Sequence, residues 1–296
     1  MSSTLIMTPL TATSLVSVFD HVFNRPACKL LDRAAAARGL GHALYPRESA
    51  PRTPLEHAFE TFLRELGDNA PVVEYWARRE WRHIEGHRDV DEALAAGGGK
   101  LRYPDHGHVL YLSVGRQVRG PTCVWEGGSD AKGYIGSSMA TVPAVEGRVL
   151  RFSGALPHAV PRPADVWLAP FTVSQSGPAD EFVRSVVLFN TWPDASEPPL
   201  GVERDDSVDT SEPVHCCPRN EWHEAPWRSV AETASGGDLR GDRQPATATM
   251  KLWLLGDVAR RGQMERTLRV PVVRDATLKA LAEPEHCTWL EPPDRS

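Results

Sequence analysis

The 296-residue sequence has no apolar run approaching the roughly 20 residues that a membrane-spanning helix needs. No basic stretch precedes an apolar one at the start, and the first arginine, Arg25, comes only after Asp20. The basic region of an ordinary secretory signal is thus lacking, and the late arginine argues weakly against a transit peptide. The expectation is a soluble protein of the cytoplasm, with no membrane contact. Cysteine is scarce: five residues, at 28, 123, 216, 217 and 287, with no C-x-x-C among them. A disulfide framework is therefore excluded and reduced thiols are expected. Cys216 and Cys217 adjoin His215, but no further ligands stand at zinc-site spacing. Excess positive charge is also lacking, the formal net charge being −6. No broad attraction to nucleic acid or to an anionic membrane follows, although a local arginine patch stays possible. No internal repeat is visible.

What is present changes character along the chain. Ser14 to Phe19 reads as a short strand. Asn24 ahead of Pro26 opens a helix through A-C-K-L-L-D-R-A-A-A-A-R that Gly39 stops. Thr53, Pro54 and Glu56 form a capping box. Leu55, Phe59, Phe62, Leu63 and Leu66 then recur at helical spacing up to Gly67. From Val72 the period shortens. V-V-E-Y-W, H-I-E-G-H, V-L-Y-L-S-V, T-C-V-W, R-V-L-R-F and S-V-V-L-F are strand-like, and glycines and prolines separate them. Short strands at this density predict a sandwich or jelly roll. Pro193 to Thr249 is rich in Pro, Asp, Glu, Ser and Gly and reads as long loops, with Trp222 and Trp227 packing back. Lys251 to Leu255 reads as a returning strand and Asp275 to Glu283 as a short helix. The expected organisation is one domain over 1–296. It comprises helical support over 1–71, a β core over 72–192 and a loop-rich extension over 193–296.

The chemistry centres on Trp81 to Glu92, which contains His87-x-Asp89. On an extended strand, side chains two apart share a face. A remote histidine would complete two imidazoles and one carboxylate, the facial triad of non-haem Fe(II) oxygenases. His83-x-Glu85 has the same form and is the local rival. His158, far downstream after G-R-V-L-R-F-S-G, is the candidate third ligand. His106 and His108 compete with it but lack that lead-in.

The ordered set is H-x-D-x-D-E, Y-L, G-P-T, G-R-x-x-x-F-x-G-x-x-x-H, then R-x-x-x-x-F-N-x-W. It resembles the Fe(II)/2-oxoglutarate-dependent dioxygenases, in the prolyl hydroxylase-like branch, from about Val72 to Trp192. The resemblance implies a mainly β, double-stranded β-helix (a cupin-like jelly roll) braced by N-terminal helices, α+β overall. It implies Fe(II) held by His87, Asp89 and His158, with 2-oxoglutarate as co-substrate, O2 as oxidant and ascorbate as a possible reductant. It favours His87 and Asp89 over the His83 pair, because Asp91 and Glu92 follow as in this branch. Asp91 and Glu92 either orient the ligands or are simply solvated. Arg184 is expected to bind the distal carboxylate of 2-oxoglutarate, since a guanidinium pairs with a carboxylate in a fork. It shares a strand face with Val186 and Leu188. Tyr111 and Thr122 are expected to help. The gap from His158 to Arg184 is longer than the family usually shows, which an inserted loop from Pro163 to Phe182 accounts for. Arg162 is the alternative anchor.

The implied reaction is hydroxylation of a C–H bond with release of succinate and CO2. Family members that halogenate replace the aspartate by a small residue, so Asp89 points to hydroxylation. The substrate, small molecule or protein side chain, and the oligomeric state are not readable. Three other readings remain at this point: a cupin-like metal enzyme that uses no 2-oxoglutarate, a non-catalytic jelly-roll binding module, and an interaction protein recruiting partners through its acidic loop.

Overall fold

The computed structural model describes residues 15–80, 84–115, 120–126, 138–160, 183–205, 212–229, 247–254, 264–271 and 285–290. In chain order, β1 (Val16–Asp20) leads to α1 (Arg25–Arg38), β2 (Ala43–Pro46) and α2 (Pro54–Leu66). Next come β3 (Val72–Glu80), β4 (Ile84–His87), the short α3 (Glu92–Ala96), β5 (His106–Val114) and β6 (Thr122–Glu126). β7 (Ser138–Val142), β8 (Val149–Ser153), β9 (His158–Val160) and β10 (Val183–Trp192) follow. Last are β11 (His223–Glu224), β12 (Trp227–Ser229), β13 (Thr247–Leu254), β14 (Met264–Pro271) and β15 (Cys287–Leu290). Among the described residues, no helix is long and apolar enough to cross a membrane.

Both long helices begin where the sequence supplies a cap. The Asn24 side chain accepts the Ala27 N–H at 3.0 Å. Thr53 accepts the Glu56 N–H at 3.2 Å, and Glu56 reaches back to the Arg52 N–H at 2.6 Å. Each cap satisfies donors that a helix start otherwise leaves unpaired. Gly67 ends α2 in the left-handed region, φ 77°, where glycine meets no Cβ penalty.

The strands form two sheets, so the fold is mostly β with few helices. The first sheet runs β11-β1-β8-β5-β10-β3-β2 and the second β12-β15-β7-β6-β9-β4-β13-β14. β1 and β2, from the segment expected to be helical support, thus belong to the first sheet. That sheet is covered on both faces. Leu110, Leu112, Val187 and Phe189 pack against Leu31, Phe59 and Phe62 of the helices. Their sequence neighbours Val109, Tyr111 and Val186 join Val124, Ala140 and Phe152 between the sheets. The period-two alternation of a strand sorts β5 and β10 between these two cores.

Other differences from the sequence reading have local causes. α3 was not expected; Asp91, with its side chain on the Leu94 N–H at 3.0 Å, caps it. The returning strand is longer than read, and β14, which was not foreseen, pairs along it. Trp222 packs back as expected, stacked 5.2 Å from Phe62. The helix expected over Asp275 to Glu283 and the inserted loop from Pro163 to Phe182 lie outside the described residues.

One ion pair closes the inter-sheet core. Arg148, with no exposure at all, forks onto Asp20: Nε–Oδ1 2.6 Å and Nη2–Oδ2 2.9 Å. Its remaining arm donates to the Pro143 carbonyl at 2.9 Å. Removing one member of a buried pair strands the other charge. Asp20→Ala should therefore destabilise by about 3–5 kcal/mol, read as a lower urea midpoint. Asp20→Ala combined with Arg148→Met should recover much of that loss.

Candidate metal centre

β4 and β9 are antiparallel neighbours, and His87 and His158 are register partners across them. Directly opposed residues project from one face, and here the two imidazole centroids are 4.3 Å apart. Asp89 joins them by a different route from the one read in the sequence. β4 ends at His87, so Asp89 does not share a strand face with it. It stands in the coil that turns into α3. That coil brings Asp89 Oδ1 to 3.5 Å from His87 Nε2 and 3.7 Å from His158 Nε2. One carboxylate oxygen thus faces two ring nitrogens, all within 4.8 Å of one another. Bonds of about 2 Å to a common ion fit such spacings. Among the described residues this is the one group of three ligands so gathered.

The surroundings prepare each ligand. His158 Nδ1 donates to the Leu156 carbonyl at 3.2 Å, which leaves Nε2 with its lone pair toward the triad. Burial, then the neighbouring His87, lowers the His158 pKa to about 4. The ring is neutral at physiological pH, the form that binds metal. Burial works against the Asp89 charge, but His158, His87 and a hydrogen bond from Asn190 hold its carboxyl well below the usual range. Asn190 had no role in the sequence reading. It is 3% exposed, near the end of β10, opposite Glu74 on β3 and Gly107 on β5. The signal was there: Arg184, Val186, Leu188 and Asn190 alternate onto one face, and that apolar face ends in an amide.

The same strand carries Arg184, 2% exposed. Its Nε donates to the Gly120 carbonyl at 2.8 Å and its Nη2 to Thr122 Oγ1 at 3.2 Å. The guanidinium lies 5.4 Å from the Tyr111 ring centre, and the Tyr111 hydroxyl meets Thr122 Oγ1 at 2.7 Å. Burial lowers the Arg184 pKa, opposed by Tyr111 alone. No carboxylate among the described residues pairs with it. The cluster borders the same interior as the triad. Val124 is the register partner of His158, and Thr122 lies two residues before it on the same face of β6. Phe152, packed with Tyr111 and Val186, lies 4.8 Å from the His158 ring.

The rival residues fall elsewhere. His108 is buried under α2, stacked at 4.3 Å on Phe189 and bonded to its carbonyl. His106 meets Arg151 at 3.0 Å. Neither reaches the triad. Asp91 neither touches the ligands nor is solvated. It caps α3 and binds Arg102 at 2.6 Å and the Leu200 N–H at 3.1 Å. Glu92 is exposed. His83, the Glu85 side chain and Arg162 lie outside the described residues. A cleft of about 490 Å³ opens beside His87, Asp89 and Asn190, a volume suited to a small molecule.

No family model matches the chain, and no curated protein does. Solved structures similar to it at low identity include the following three. HygX from Streptomyces hygroscopicus with nickel and 2-oxoglutarate bound gives TM-score 0.35 at 17% identity, over 66% of this chain and 92% of that one. A Pseudomonas putida prolyl-4-hydroxylase gives 0.38 at 18%, over 63% and 90%. SnoN, a non-heme alpha ketoglutarate dependent epimerase from nogalamycin biosynthesis, gives 0.37 at 11%, over 68% and 92%. Likeness at this level assigns the chain to no family.

The geometry makes a graded prediction for metal affinity. His87→Ala or His158→Ala should abolish tight Co(II) binding, followed by visible absorbance. Asn190→Ala should weaken it by about 10–100-fold and alter the ligand-field bands, while the metal-free protein unfolds as before. Full occupancy in both histidine variants would refute the assignment.

Proposed function

We propose that this chain is an Fe(II)- and 2-oxoglutarate-dependent dioxygenase, a double-stranded β-helix enzyme that hydroxylates a C–H bond. The observation that carries the reading is a buried guanidinium, Arg184, with no counter-anion among the described residues, bordering the interior that holds His87, Asp89 and His158. A desolvated cation persists where an anion is to be bound. A metal enzyme that uses no 2-oxoglutarate would have no call for it.

The residues present fit both groups. Two neutral imidazole nitrogens and one carboxylate, with room beside them, suit a non-haem ferrous ion. Bound together with O2, Fe(II) and 2-oxoglutarate supply the oxidising chemistry, the keto acid leaving as succinate and CO2, with ascorbate as a possible reductant. The chain supplies position. The Leu156 carbonyl fixes the His158 tautomer, and Asn190 steadies Asp89. Arg184 holds the distal carboxylate of the co-substrate by its fork, and the Thr122–Tyr111 hydroxyl pair, which spends one proton on its own hydrogen bond, supplies one further donor. Tyr111, Val124 and Phe152 keep water from that interior, which strengthens every charge contact in it. Asp89 fills the position that halogenating relatives leave to a halide, so hydroxylation is the expected outcome.

Titrating 2-oxoglutarate into the Fe(II) protein, read by charge-transfer absorbance, tests the anchor. Arg184→Ala should keep metal binding and lose about 2–5 kcal/mol of 2-oxoglutarate affinity, roughly 30- to several-thousand-fold. Arg184→Lys should recover part of it, because lysine restores charge without the fork. Arg162→Ala should have a much smaller effect; loss of binding in that variant alone would move the anchor there.

A further inference from the structure

The cleft beside the triad is walled on one side by His42 and β3. Glu74 and Trp76 share a face of that strand, and Glu74 is the register partner of Asn190. Glu74 is a buried carboxylate, 6% exposed. Its oxygens are taken by His42 Nδ1 at 2.7 Å and by the Trp192 indole N–H at 3.1 Å. Neither partner is a fixed cation. A carboxylate only accepts, so Nδ1 of His42 carries a proton; in the neutral ring Nε2 is then the acceptor. The ring lies flat on Trp76, centroids 4.5 Å apart and planes within 3°. Glu74 and Trp76 together therefore fix the direction in which Nε2 points. No partner of Nε2 stands among the described residues, and the side chain is 38% exposed. Glu92, exposed in the first turn of α3, lines the other side without an ion pair among the described residues. Against these stands one guanidinium among the described lining residues, Arg78, which donates to the Leu40 and Ala77 carbonyls.

We propose that this cleft selects a small polar amine, with His42 Nε2 accepting a hydrogen bond from it and the Glu74–His42 pair and Glu92 matching its positive charge. An acidic molecule of the same size would meet two carboxylates, Glu74 and Glu92, neither of them paired with a fixed cation among the described residues. The inference rests on the reading above, in which whatever the cleft holds is presented to the metal. It makes His42 a specificity-determining residue and Glu74 a positioning residue acting through it.

Three probes with one ring and one variable substituent separate charge from shape: glucosamine, glucose and glucuronate. Each is titrated calorimetrically into the anaerobic Fe(II) protein with 2-oxoglutarate, after the charge-transfer band is recorded. Glucosamine should bind about tenfold or more tightly than glucuronate, with glucose between. His42→Ala, which loses the acceptor, and Glu74→Gln, which loses one charge, should each narrow that preference, with Glu92 keeping a remainder and the band unchanged. The exposed His42 side chain makes His42→Ala the safer variant if Glu74→Gln disturbs Trp192. With the band intact, binding of none of the probes, equal or tighter binding of glucuronate, or an unchanged ratio in His42→Ala would overturn the inference alone. Failure of the band to form in the unaltered protein would overturn the parent reading. The same titrations on the metal-free protein would then still decide the charge preference.

Discussion

The site hangs on one register. His87 and His158 face each other because β4 and β9 pair at that position. Side chains alternate along a strand, so a slip of one residue would turn one imidazole to the opposite face. The pairing is held from both flanks. β6 sets Val124 beside His158, and β13 meets β4 at Leu252 and Gly86. The approach to β9 is equally constrained. At Gly154 a Cβ would lie 2.2 Å from the Pro104 carbonyl oxygen, so the turn that delivers His158 packs against backbone. Gly147, at the other end of β8, has φ 82° and a Cβ would meet the Phe23 carbonyl oxygen at 2.3 Å. The glycines of the G-R-x-x-x-F-x-G run thus answer to steric demands on either side of one strand.

Charge is distributed along β10 in a way that its hydrophobic neighbours make consequential. Arg184 and Asn190 stand toward the two ends of one strand face, with Val186 and Leu188 between them. The apolar middle keeps the local dielectric low, which magnifies both the penalty for an unmatched charge and the reward for a matched one. Because the opposite face of the strand is locked under α1 and α2 through Val187 and Phe189, the polar residues rest on a rigid element. Sites built on strands hold their geometry better than sites built on loops.

What could be read from the sequence was mostly local. Asn24, Thr53 and Gly67 announced helix ends because a cap involves only residues a few positions apart. The facing of Arg184 followed from parity along R-S-V-V-L-F-N. The pairing of His87 with Asp89 was legible as a pattern, but its strand geometry was not. Asp91 competes for the coil by capping α3, and the acid followed by A-L-A-A was a helix start. Asn190 and Glu74 escaped because their partners are set by the neighbouring strand and by the coil after β4, contacts that no sequence period encodes. β14 was missed because M-E-R-T-L-R-V-P alternates only in part, whereas its partner ends in the unbroken apolar run L-W-L.

Asp91 gathers more than a helix start. Its second oxygen takes the Leu200 N–H and an Arg102 arm, and Arg102 reaches on to the carbonyls of Glu197 and Pro198. The segment that rims the cleft at Leu200 is therefore moored to α3 at a single carboxylate. Leu200 itself is 57% exposed, yet its backbone N–H is sequestered. Exchange of that amide with solvent deuterium requires the mooring to open. Its rate is a clock for how often the rim lifts, kept by a residue outside the His87, Asp89 and His158 triad.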